Sequence, residues 1–140
     1  MSKVAVVFWT STGNTEAMAN AVAEGAKAKG AEVKVLTASE FTEADVNSYD
    51  AIAFGCPAMG AEVLEETEFE PMFSSVEGLL SGKKIGIFGS YGWGDGQWMR
   101  DWKDRCDGVG AALVNDGVMA NNAPDDAALA ECRELGEALA

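Results

Sequence analysis

The chain has 140 residues, with 10 Lys and Arg against 23 Asp and Glu, a net charge of -13 and no histidine. This length suits one domain, 1–140, with a full core, and the charge argues against nucleic acid and anionic membrane surfaces as partners. Cys56, Cys106 and Cys132 have no CxxC spacing and no histidine to join them, so they make neither a zinc nor an iron–sulfur ligand set and read as buried small hydrophobes in a reducing compartment.

The opening "MSKVAVVFW" enters an apolar run without a basic leader or cleavage signal, so a cytoplasmic protein is expected. The run "VAVVFW" (4–9) predicts a strand, and Met18, Val22 and Ala26 at helical spacing predict a helix that Gly30 stops. "EVKVLT" (32–37) alternates, which suits an edge strand, and Thr42 with Asp45 forms a capping box for a short second helix. "AIAFG" (51–55) is again continuously apolar. Met72, Val76 and Leu79 or Leu80 follow Pro71 with helical period. After the run "KIGIFGS" (84–90), Trp98, Trp102 and Cys106 predict a helix stopped by Gly108 or Gly110. "AALV" (111–114) predicts the last strand, and Leu129, Cys132, Leu135 and Leu139, after Pro124, the last helix. Both prolines sit where first-turn prolines belong. Five strands alternating with five helices, with no internal repeat, predict an open parallel sheet with helices on both faces and a ligand beyond the carboxyl ends of its strands.

The loop after the first strand, "TSTGNT" (10–15), combines hydroxyls and an amide with the free N–H groups of a helix N-terminus, an anion site. It has no lysine and only Gly13, so neither the GxxxxGK[ST] loop of nucleoside triphosphates nor the GxGxxG loop of dinucleotides is present. Thr10, Thr12, Asn14 and Thr15 could wrap a terminal phosphate without a countercharge, although such residues also serve as plain helix caps. The loops after the third and fourth strands, "GCPAMGAEVLEE" (55–66) and "GSYGWGDGQW" (89–98), each carry one large polarisable group among glycines, Met59 and Trp93. These could face each other across a planar ring.

"TSTGNT", "PAMGAEVLEE" and "GSYGWGDGQWMRDW", in this order and spacing, closely resemble the short-chain flavodoxins, and the resemblance runs over the whole chain. It implies a flavodoxin-like three-layer α/β sandwich around a five-stranded parallel sheet of order 2-1-3-4-5, with helices on both faces. It also implies one non-covalent FMN and low-potential one-electron transfer among oxidised, neutral semiquinone and anionic hydroquinone states, with no substrate chemistry of the protein's own. By the same resemblance, Thr10, Thr12, Asn14 and Thr15 take the phosphate, with Ser11 and Gly13 in the same cofactor-binding loop, Met59 covers the inner ring face and Trp93 stacks on the outer one. Glu62 accepts from the flavin N3–H, the N–H groups of Gly92 to Gly94 point at the pyrimidine end, and Asn122 touches the ribityl chain. Pro57, Ala58, Gly60, Ala61, Ser90, Tyr91 and Asp95 complete the implied cofactor-binding set. Ser11 and Ala61 stand where relatives often carry glycine and a polar residue.

Gly60 can adopt either backbone orientation cheaply, so its peptide to Ala61 is expected to turn over on reduction. Glu62, Glu65, Glu66, Glu68 and Glu70, with Asp95 and Asp101, should disfavour an anionic cofactor by about 0.4 kcal/mol each at roughly 10 Å. The same acids would dock redox proteins that carry basic patches, and a monomer is expected. An FMN-dependent NAD(P)H or quinone reductase shares the fold class but usually needs longer loops. A phospho-receiver domain would need acids after strand one, an Asp after strand three and a late lysine, where this chain has Thr10, Cys56 and Asn115.

Overall fold

In a computed structural model that describes residues 2–11, 13–59, 63–92 and 94–140, all five apolar runs contribute strands to one parallel sheet. The strands are β1 (Lys3–Phe8), β2 (Glu32–Thr37), β3 (Ala51–Gly55), β4 (Lys84–Tyr91), β5 (Ala112–Leu113) and β6 (Val118–Asn121). Their order is β2-β1-β3-β4-β5, with β6 also paired to β4. The alternating run is an edge strand, as expected, and the continuous runs of β1, β3 and β4 are buried on both faces. Trp9 falls just outside β1, although its N–H still donates to the Gly55 carbonyl (3.0 Å).

The fifth strand differs from expectation. Only Ala112–Leu113 of "AALV" pairs, against Lys84–Ile85, and it is partly exposed rather than covered on both faces. Turn-forming residues 115–117 then interrupt it: the Asn115 side chain accepts from the Gly117 N–H (3.2 Å), and Gly117 takes φ 108, a backbone region that favours glycine. The chain re-enters the sheet as β6, against Phe88–Tyr91, with Val118 and Ala120 turned inward.

Among the described residues there are four α-helices, not five: α1 (Asn14–Ala28), α2 (Phe69–Val76), α3 (Gln97–Gly108) and α4 (Asp126–Leu139). The segment behind the Thr42 capping box stays a 3₁₀ turn, Glu43–Ser48, with the Thr42 N–H donating to the Asp45 carboxylate (3.0 Å). Six residues rich in Asp, Asn and Ser do not repay the cost of an α-nucleus. A second 3₁₀ turn, Ala38–Glu40, follows the same pattern, the Thr37 N–H donating to Glu40 (2.8 Å). α2 tightens into 3₁₀ over Glu77–Leu79, which exposes Leu79 and buries Leu80. Pro71 lies in the first turn of α2. Pro124 lies outside α4, ahead of Asp125, whose carboxylate caps the helix by accepting from the Ala128 N–H (2.8 Å).

The period-two alternation of the strands sorts their side chains into two cores. Val4, Val6, Phe8, Ala53 and Phe88 pack against α1 and α4, while Ala5, Val7, Phe54, Ile85 and Ile87 pack against α2 and α3. α1 and α4 touch through their backbones: a Cβ added at Gly136 would lie 1.9 Å from the Val22 carbonyl oxygen. The two faces together hold the carboxyl ends of β1, β3 and β4 side by side.

Candidate functional site at the carboxyl ends of the strands

Residues 9–13 link β1 to α1. Gly13 takes φ 94, donates its N–H to the Thr10 hydroxyl (3.1 Å), and its carbonyl accepts the first helical bond, from Ala17 (3.0 Å). The N–H groups of Asn14, Thr15 and Glu16 therefore stand at the positive end of α1 without an intrahelical acceptor. Thr15 is 1% exposed and its hydroxyl pairs with that of Ser90, at the end of β4 (3.1 Å). One hydroxyl of such a pair donates and the other keeps its own hydrogen free, so the pair still offers one donor outward.

A cleft of about 170 Å³ opens at this point. Ser11 and Asn14 line it from the first loop, Pro57, Ala58 and Met59 from the loop after β3, and Ser90, Tyr91 and Gly92 from the end of β4. Asn122 closes the cleft from beyond β6: it takes φ 59, its N–H donates to the Tyr91 carbonyl (2.7 Å), and a Cβ at Gly92 would meet its side-chain oxygen at 3.2 Å. None of the described lining residues is cationic. Larger hollows lie elsewhere, about 340 Å³ beside Lys3 and Tyr49, about 320 Å³ between Asn115 and α4, and about 200 Å³ between β6 and the start of α4. None of these brings a helix N-terminus together with the ends of β1, β3 and β4.

The donor chemistry suits FMN. Neutral hydroxyl, amide and backbone N–H donors gather at one end for a terminal phosphate, and partly exposed Met59 and Tyr91 with Ala58 form an apolar bed at the other. Asp95 does not join the cleft; it is exposed and paired with Arg100 (3.0 Å). Gly94 is exposed beside it. Thr12, Gly60, Ala61, Glu62 and Trp93, all expected at the site, lie outside the described residues, as does the peptide expected to turn over at Gly60.

The acidic rim is weaker than a count of carboxylates implies. Glu70 accepts from Arg105 (2.7 Å), which also holds Glu77 (2.7 Å) and lies 4.9 Å over the Phe73 ring. The Arg105 guanidinium holds the Glu70 carboxyl below the ordinary carboxylate value. Arg105 and Arg100 thus offset Glu70 and Asp95, and Glu65 is turned inward. Glu66 remains exposed, while Glu68 accepts from the Trp9 indole N–H (3.2 Å).

Three further contacts matter that the residue pattern did not single out. Trp9 ties the first loop to Glu68, the Trp98 indole N–H donates to the Cys56 carbonyl (3.1 Å), and the Cys56 thiol accepts from the Glu65 N–H (3.4 Å). The first two join residues distant in sequence and the third closes a loop over nine residues, so no helical or strand spacing could have revealed them. All three cysteines are buried and unpaired; burial raises the Cys56 thiol and pushes Cys106 and Cys132 up to about 12, so none is an activated nucleophile.

A family model described as flavodoxin matches residues 6–136. The chain is 48% identical over 137 residues to a flavodoxin of Megasphaera elsdenii, covering 98% of each. It is 43% identical over 135 residues to a flavodoxin of Clostridium beijerinckii, covering 96% of this chain and 97% of that one. The solution structure of the two-electron reduced Megasphaera elsdenii protein superposes with a TM-score of 0.90 over 97% of each chain. A flavodoxin from the domain Archaea superposes at 0.85 with 25% identity, over 98% of this chain and 95% of that one.

Proposed function

This chain belongs to the flavodoxin family, FMN-binding electron carriers rather than enzymes, and from that premise we propose that it is a low-potential one-electron shuttle folded as a single domain. The cleft carries the proposal: it sets neutral anion donors and an apolar bed at opposite ends of one opening. FMN, when bound, supplies the one-electron chemistry. The chain's own residues bind it, orient it and keep water away.

In this assignment the N–H groups of the first turn of α1, with the side chains of Thr10, Ser11, Thr12, Asn14 and Thr15, hold the phosphate. Hydrogen bonds alone carry its charge, as expected where none of the described lining residues is Lys or Arg. Met59 and Trp93 cover the two ring faces, with Pro57, Ala58, Ser90 and Tyr91 forming the bed and Asn122 closing the side. Glu62 and the N–H groups of residues 92–94 take the polar edge of the ring. Thr12, residues 60–62 and Trp93 are assigned from the sequence pattern and the family resemblance.

Water exclusion around the ring and the remaining acids disfavour an anionic cofactor, which lowers the second one-electron potential. The protein works as a monomer in the cytoplasm, docking weakly and rapidly on redox proteins with basic patches. No helix among the described residues is long and apolar enough to cross a membrane.

Titrating the apoprotein with FMN and then reducing the complex anaerobically under potential control tests this. One FMN per chain and two separated one-electron steps are expected. A single two-electron step, or steady NAD(P)H oxidation by the purified protein alone, would overturn the carrier assignment in favour of a reductase.

A further inference from the structure

We propose that Glu65 is a positioning residue for the cofactor: its buried carboxylate latches the loop after β3 in the shape that faces FMN. The inference rests on the carrier function above and extends it to a residue that does not line the cleft.

The loop leaves β3 at Gly55 and must return to α2 at Phe69. Its outer part is closed by two reciprocal hydrogen bonds, Met59 N–H to the Val63 carbonyl and Val63 N–H to the Met59 carbonyl, both 2.9 Å. The departing side is anchored to β4, the Ala58 N–H donating to the Ser90 carbonyl (3.0 Å), and the closure passes that hold to Val63 but leaves the return beyond it to be fixed. What holds it lies just beyond. Leu64 and Glu65 are 6% and 5% exposed, so the chain plunges inward immediately after Val63.

Glu65 then meets nearly every unpaired donor of the α2 N-terminus. Its carboxylate accepts from the N–H groups of Thr67 (2.8 Å), Glu68 (2.7 Å) and Phe69 (2.9 Å) and from the Thr67 hydroxyl. Its carbonyl accepts from the Glu70 N–H (2.8 Å). Burial acts to raise the Glu65 carboxyl, but these hydrogen bonds outweigh it and hold the group below its ordinary value, so it stays ionised where it is needed as an acceptor.

The other side of the latch is Cys56, one residue past β3 and fully buried. Its thiol accepts from the Glu65 N–H (3.4 Å) and its carbonyl from the Trp98 indole (3.1 Å). A Cβ at Gly89 would lie 2.1 Å from that carbonyl oxygen, so β4 carries no side chain there. Departure and return of the loop are therefore pinned to each other through one buried side chain. The same junction reaches the start of α3 through Trp98 and the first loop through Glu68 and Trp9. A helix cap alone would need only the carboxylate contacts; the bond from the Glu65 backbone to the strand end is what makes the carboxylate govern where Met59 stands.

The test compares FMN-loaded wild type, Glu65→Gln and Glu66→Gln, which removes the same unit charge from an exposed neighbour. Glu65→Gln is expected to raise the Kd for FMN about tenfold or more and to move both one-electron potentials. The changes should persist at about 1 M salt, where the screening length is only ~3 Å. Thr67→Ala, which removes one donor to the latch from an exposed position, should shift the same quantities less and in the same direction, and it serves if Glu65→Gln does not fold. If Glu65→Gln lowers the melting temperature but leaves Kd and potentials at wild-type values, Glu65 only caps α2 and the proposal is wrong. It is equally wrong if the Glu65→Gln shifts match those of Glu66→Gln and vanish in salt. A wild type that takes up no FMN overturns the carrier function and this inference with it, whereas a normal wild type beside an unaffected Glu65→Gln overturns this inference alone.

Discussion

Thr15 joins a structural role to the binding role proposed for it. Its Cβ methyl group is packed away at 1% exposure, and its hydroxyl meets Ser90 at 3.1 Å, joining the start of α1 to the end of β4 beneath the cleft. Valine keeps the shape and deletes the hydroxyl, leaving the Ser90 oxygen without its partner and the phosphate without one donor. A hydrogen bond to a charged group contributes about 1.5–3 kcal/mol, so Thr15→Val should weaken FMN binding by roughly ten- to a hundredfold. Fluorescence titration of the apoprotein measures this, and an unchanged Kd would remove Thr15 from the phosphate site. Thr10 has a second part besides the one proposed for it: its hydroxyl accepts from the Gly13 N–H and so shapes the loop, while its own hydrogen stays available to a phosphate. Hydroxyl-rich composition identified the loop; it could not divide the labour among the hydroxyls, since that depends on which of them the backbone turns inward.

At the scale of elements, burial on two faces made β1, β3 and β4 legible, and alternation did the same for the edge strand β2. The interrupted fifth strand was not legible, because residues 115–117 carry the ordinary marks of a strand end and nothing local says that the chain rejoins the same neighbour. The pairing of Arg105 with Glu70 and Glu77 escaped for a similar reason: it bridges positions 35 and 28 residues apart on two helices. Glycine spacing in the helices was also silent about its purpose. Gly136 and Gly25 let α1 and α4 meet backbone to backbone, with added Cβ atoms falling 1.9 Å from the carbonyl oxygens of Val22 and Arg133. A methyl group there has to push the helices apart, at about 1–3 kcal/mol for overpacking. Gly136→Ala should therefore lower Tm by at least about 4 °C, while Gly78→Ala, where a Cβ meets nothing within 4 Å, should not. Equal melting temperatures would mean that the helices separate at no cost.

For the whole molecule, the net charge of -13 overstates the field at the cleft. With Glu70 and Asp95 offset by Arg105 and Arg100, and Glu65 turned inward, three exposed described acids of the cluster, Glu66, Glu68 and Asp101, act without a paired cation. At roughly 10 Å each they sum to about 1.2 kcal/mol, or roughly 50 mV on the second one-electron potential. Added salt should raise that potential by up to this amount, and a potential indifferent to salt would confine its tuning to the immediate pocket. Acid acts on the same groups in another way. Glu65 and Glu70 have lower carboxyl values folded than unfolded, so the native state binds fewer protons. Their stabilisation is full above the ordinary value of 4.5 and is lost as pH falls through the lowered ones. Denaturant midpoints should hold between pH 7 and about 5 and drop below about 4.5, and a constant midpoint down to pH 3 would contradict the latch and the Arg105 clamp alike. The backbone contact between α1 and α4 also sets an order in time. α4 follows every strand of the sheet in the chain, so on the ribosome α1 is made early yet waits, one face bare, until α4 emerges and docks. The helix whose N-terminus is proposed to hold the phosphate is the one kept waiting, so cofactor loading is expected only once α4 has docked, and nascent chains stalled before α4 should not retain FMN.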